Sequence, residues 1–78
     1  GLISPSIIDF TDVKAIQFGS TLSNFYVESE DKKIFFGKDF NNYEHILQGI
    51  VNEVSEVKDL EEVDLLGDPD NIEEYVNN

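Results

Sequence analysis

The stretch Asn42-Tyr43-Glu44-His45-Ile46-Leu47-Gln48-Gly49-Ile50-Val51-Asn52-Glu53-Val54-Ser55-Glu56-Val57 decides how this chain must be built. Tyr43, Ile46, Leu47, Ile50, Val51, Val54 and Val57 recur at spacings of three and four, which places them on one stripe of an α-helix over about 42–57. The opposite side holds Glu44, His45, Gln48, Asn52, Glu53, Ser55 and Glu56, all compatible with water. Asn41 followed three residues later by Glu44 fits a capping box, in which each side chain satisfies an orphan amide of the first turn. Lys58 suits the negative pole of the helix dipole at the other end. A helix with one apolar stripe is built to lie on a sheet.

The residues before it supply strand-like runs. Ile7, Ile8 and Phe10 form a short apolar run ended by Thr11-Asp12, after Ser4-Pro5 marks a turn. Val13, Ala15, Ile16 and Phe18 follow in a mostly apolar run that Gly19-Ser20 punctuates. Leu22-Ser23-Asn24-Phe25-Tyr26-Val27-Glu28 is rich in aromatic and β-branched residues, and Ser29-Glu30-Asp31-Lys32 reads as a hairpin turn into Lys33-Ile34-Phe35-Phe36. The expectation is an α+β domain over residues 1–58. In it an antiparallel sheet of three or four strands (about 6–10, 12–18, 22–28 and 32–37) packs against one amphipathic helix.

After Lys58 the composition changes. Residues 1–58 carry nine acids and five lysines, a net of −4, whereas residues 59–78 carry eight acids and no base, a net of −8. Residues 59–78 are expected to form an acidic tail or a short docking segment. Leu60, Val63, Leu65 and Leu66 are its apolar members, and Gly67-Asp68-Pro69 must break whatever precedes it. Asp70 and Glu73 offer a second capping box, with Ile72, Tyr75 and Val76 in a final turn. No internal repeat is evident at any useful period.

Length and charge narrow the function classes. A chain of 78 residues is one domain at most, and a domain of this size buries only about 60% of its unfolded surface. With no cysteine, disulfides are impossible, which fits a reducing, cytoplasmic setting. Methionine is absent even at position 1, which fits a fragment of a longer protein. A formal charge of −12 with no arginine disfavours direct binding to nucleic acid or anionic lipid. Apolar runs of four or five residues are far too short to span a membrane.

Ile8 to Val57 resembles the carboxy-terminal half of the bacterial pleckstrin-homology-like domains. The resemblance is carried by Ile8-Asp9-Phe10-Thr11-Asp12-Val13-Lys14-Ala15-Ile16, Phe25-Tyr26-Val27, Asp31-Lys32-Lys33-Ile34-Phe35-Phe36 and the helix opening Phe40-Asn41-Asn42-Tyr43-Glu44-His45-Ile46-Leu47-Gln48-Gly49-Ile50. It implies a scaffold for protein or lipid contacts. A complete domain of that family has seven strands, so the resemblance also implies missing strands or a sheet shared between two chains. Lys14, Lys32, Lys33 and Lys38 are interrupted by acids, which argues against the phosphoinositide site of the lipid-binding members.

No constellation points to catalysis, and the expectation is a non-enzymatic protein without cofactor, metal or small-molecule substrate. His45 is the only histidine and belongs to the polar side of the helix, which leaves nothing to build a triad or a zinc site. The paired acids Glu61-Glu62, Asp68/Asp70 and Glu73-Glu74 lie in a polar stretch where solvated charge is the natural reading. Asp64, Asp68, Asp70, Glu73 and Glu74 offer oxygen ligands for calcium, but Gly67 and Pro69 fall in the wrong places for an EF-hand loop.

What remains is binding. Phe18, Phe25, Tyr26 and Phe35 cannot all lie beneath one helix, because successive strand residues face opposite sides. An aromatic face or strand edge is therefore expected to meet a protein partner or a second copy of the chain, with Glu61, Glu62, Asp68 and Asp70 as an acidic surface for a basic protein. The alternative is a small acidic inhibitor that imitates nucleic-acid phosphates and blocks a nucleic-acid-binding protein.

Overall fold

The computed structural model describes residues 8–19, 25–36 and 42–76. Four strands form one sheet: β1 (Ala15–Gln17), β2 (Phe25–Glu28), β3 (Lys33–Phe36) and β4 (Asp64–Leu66). Two helices accompany them, α1 (Tyr43–Val57) and α2 (Pro69–Val76). The spatial order is β3-β2-β1-β4, with β1·β2 and β2·β3 antiparallel and β1·β4 parallel. The α+β class holds, but the sheet expected to be antiparallel is mixed, because β4 returns after α1 to run parallel to β1.

Several expectations change. The strand expected near 6–10 is not one where it is described. Residues 10–12 turn in a 3₁₀ helix, because the Asp9 carboxylate accepts from the Thr11 amide at 3.0 Å and hydroxyl at 2.8 Å, and so competes with a ladder. The fourth strand comes instead from the acidic segment, of which the structure describes residues up to 76. Asp64 pairs with Ala15, Leu65 with Ile16 and Leu66 with Gln17. The bonds from Asp64 N to Lys14 O and from Phe18 N to Leu66 O, both 2.8 Å, bracket that pair.

Both parallel strands are opened by the same local device. Asp9 caps Phe10–Asp12 and Asp59 caps Leu60–Glu62, each accepting from the amide two residues on. Each turn is followed by a buried valine, Val13 or Val63, whose amide closes back on the carbonyl of Phe10 or Leu60. The sequence Asp9-Phe10-Thr11-Asp12-Val13 thus has a twin in Asp59-Leu60-Glu61-Glu62-Val63, a likeness too short for a search by period.

Helix α1 lays Leu47, Val51 and Val54 on Ile16, Phe25 and Val27, with Ile46 and Ile50 at the flank. Val57, expected on the same stripe, is 48% exposed because the chain leaves the helix at Lys58 in an extended conformation. The helix begins from Asn42 in the left-handed region (φ 64°), without a side-chain cap. Asn41, the expected capping residue, lies outside the described residues. The loop Ser29–Lys32 is the expected hairpin turn, closed by Ser29 N to Lys32 O at 2.9 Å.

Helix α2 starts at Pro69, whose missing amide costs nothing in a first turn. Its cap is Asp68, which accepts from the Asp70 amide at 2.9 Å, not Asp70 as expected. Tyr75 then enters the core against Phe18, ring centroids 5.8 Å apart. Two polar bonds hold the helix down: Gln48 Nε2 to Tyr75 O at 2.9 Å and Asn71 Nδ2 to Phe18 O at 3.0 Å.

Candidate interaction surfaces

The pleat sorts the aromatic residues into two sets. Phe25 and Val27 of β2 point to the helices, and Tyr26 and Glu28 point away. Across the ladder Phe25 meets Phe36, their rings stacked at 4.7 Å, on the helix side. Tyr26 meets Phe35 on the outer side, at 5.2 Å and tilted 57°. Phe18 and Phe25, expected among the partner-binding residues, are therefore core, at 2% and 1% exposure. The signal that assigns Phe25 is its two-residue spacing from Val27. No such signal exists for Phe18, which is covered by Tyr75 from far along the chain.

On the outer face Phe35 is 61% exposed and Tyr26 half-buried. The Lys33 ammonium sits 4.5 Å from the Tyr26 ring centroid and 5.8 Å from that of Phe35, within cation–π range of both. Strand register puts Glu28 opposite Lys33, and Asp64 and Leu66 on the same face beyond Ala15 and Gln17. Lys33 and Leu66 were not among the residues expected to meet a partner. The parity of β3 would have given Lys33, whereas Leu66 required knowledge that β4 exists.

Several concavities border the sheet among the described residues, and three of them bear on binding. Ile8, Phe10, Ile34, Phe36, Ile46 and Ile50 line an apolar cleft of about 360 Å³ between β3 and α1. Leu65, Gly67, Pro69, Ile72, Glu73 and Val76 line another, of about 430 Å³, between β4 and α2. The third lies at the hairpin turn, between Asp12, Lys14, Glu30 and Asp31.

Glu61, Glu62, Asp68 and Asp70 are all exposed, but they stand on different elements: a 3₁₀ turn, a loop and the first turn of α2. His45 is exposed on α1. Among the described residues no three His, Cys, Asp or Glu side chains gather so as to hold a metal ion, and no helix is long and apolar enough to cross a membrane. The Asp9 carboxyl is held below its ordinary value of 3.8, chiefly by the Thr11 amide and then by the Thr11 hydroxyl. That shift belongs to the capped turn and marks no reactive group. No family model, no curated protein and no solved structure matches this chain, so none bears on the pleckstrin-homology-like resemblance of residues 8–57.

Proposed function

We propose that the protein is a non-enzymatic interaction module whose outer sheet face pairs with a second copy of itself. The observation that carries this is the exposed Phe35 beside Tyr26 and Lys33, on the side of the sheet opposite both helices. A face of this kind favours a two-fold contact, in which one patch meets its own copy. The charges on it suit self-pairing: Lys33 of one copy can approach Glu28 or Asp64 of the other. Light scattering on a size-exclusion column at two concentrations tests the reading. The expected result is twice the 8.9 kDa chain mass at the higher concentration, reverting to a monomer in Phe35→Glu. A monomer at both concentrations, or a dimer indifferent to Phe35→Glu, overturns it.

A second reading is supported by the acidic segment being built from ordered elements. Carboxylates on such elements meet the requirement of an inhibitor that imitates nucleic acid. This reading expects salt-sensitive binding to a nucleic-acid enzyme that is lost when Glu61, Glu62, Asp68 and Asp70 become amides. Inhibition that survives the fourfold change removes it.

A further inference from the structure

We infer that the groove between β4 and α2 receives an extended cationic segment of another protein that also carries apolar side chains. The groove has an apolar floor of Leu65, Pro69, Ile72 and Val76. Along one side runs the open edge of the sheet. In a parallel pair only alternate residues of a strand bond to their neighbour. Asp64 and Leu66 bond to β1, so the N–H and C=O of Leu65 point away from it, and among the described residues no further strand lies beyond. A buried or half-covered peptide edge of this sort is the place where a bound segment adds its own backbone.

The rim identifies the occupant. Glu73 lines the groove, Asp68 and Asp70 stand exposed on either side of its Pro69, and residues 59–76 hold eight acids and no base. Lys58, the lysine that precedes this segment in the sequence, does not neutralise them. Lys58 turns its ammonium to the carbonyls of Val13, at 2.8 Å, and Thr11, at 3.3 Å. A second copy of this chain would bring the same net −12 to that rim, and an anionic lipid surface would be repelled as well. A segment alternating lysine with leucine or valine matches all three features at once, because alternate side chains reach the floor and the solvent-side rim. This surface is separate from the Tyr26–Phe35 face, so the two readings stand or fall independently.

The test uses the full chain, isotope-labelled, and two fluorescent peptides of about eight residues. One alternates lysine with leucine; the other alternates lysine with serine and has the same charge. The lysine–leucine peptide is expected to bind about tenfold more tightly than its serine counterpart, through the apolar floor. Its affinity should fall about tenfold between roughly 0.05 M and 0.5 M salt. Amide shifts should centre on Leu65, Gly67, Ile72 and Val76. The double change Asp70→Asn with Glu73→Gln, both on exposed sites, should weaken binding severalfold without unfolding the chain, and Phe35→Glu should leave it unchanged. Equal affinity of the two peptides overturns the inference, since charge alone would then suffice. So do amide shifts centred on Tyr26 and Phe35, and absence of binding at about 1 mM peptide.

Discussion

The Lys58 ammonium lies 2.8 Å from the carbonyl oxygen of Val13, and this contact ties the end of α1 to the start of β1. The same nitrogen reaches Thr11 O at 3.3 Å. In the sequence Lys58 reads as a partner for the helix dipole; in the fold its charge is spent on the turn that precedes the central strand. Lys58→Met keeps the aliphatic stem and removes the donor. It should lower the unfolding free energy by about 1–2 kcal/mol, as expected for a part-buried bond to a charged group. Urea denaturation checks this, and a change within experimental scatter would show that the contact contributes nothing.

Phe25 and Phe35 sit on the same hairpin but on opposite faces, and their substitutions should diverge. Phe25→Ala removes a buried, stacked ring and should cost about 3–5 kcal/mol. Phe35→Ser, at an exposed position, should stay within about 0.5 kcal/mol for the monomer. Thermal melts of the two variants at low concentration distinguish them, and equal losses would contradict the assignment of faces.

Tyr75 carries the docking of α2 through Phe18. Tyr75→Ala should cost roughly 3 kcal/mol, a large fraction of the ~5 kcal/mol that a domain this small has available. Circular dichroism should show a broadened or lost transition. A melt that matches the unmodified chain would mean that α2 is an ornament of the surface.

Gly67 has a φ of +126°, and a Cβ there would stand 2.9 Å from Gln17 Oε1 and 3.3 Å from the Gly19 carbonyl oxygen. Backbone strain and crowding act together, so Gly67→Ala should destabilise by about 1–3 kcal/mol. The amides flanking the turn should exchange faster with solvent. Unchanged exchange at Leu66 and Asp68 would refute the argument.

The depressed pKa of Asp9 fixes the sign of one pH effect. A carboxyl that titrates lower when folded stabilises the fold above its unfolded value, near 3.8, and that contribution is lost as pH falls through the folded value. Carboxyl NMR should find Asp9 titrating below 3.8. Thr11→Val, which removes the hydroxyl and keeps the amide, should return it only part of the way.

Much of this fold is legible in residues that signal locally. The apolar spacing of 42–57 gives α1, and Ser29-Glu30-Asp31-Lys32 gives the hairpin between β2 and β3. What escapes is whatever depends on distant partners. β4 is three residues long and includes an acid, so no alternation identifies it as a strand; its pairing partner lies 49 positions earlier. The apolar groove beside it is hidden for the same reason. Phe10 reads as the end of a strand because Ile7 and Ile8 precede it, although Asp9 with Thr11 two residues later already spells a capped turn. Tyr26 and Phe35 were visible as aromatics, and only the pleat tells them apart from Phe25.

The parallel pairing of β1 with β4 sets the order in which the molecule can assemble. The antiparallel pairs of β1, β2 and β3 join residues close in sequence, whereas the strand that flanks β1 on its other side is separated from it by β2, β3, α1 and the second capped turn. Closing a loop of this length carries an entropic cost that is recovered only when Ile16 and Leu65 meet. On the ribosome, a chain halted before Leu66 has emerged would lack the partner of β1, leaving bare the flank that Asp64–Leu66 covers in the finished sheet.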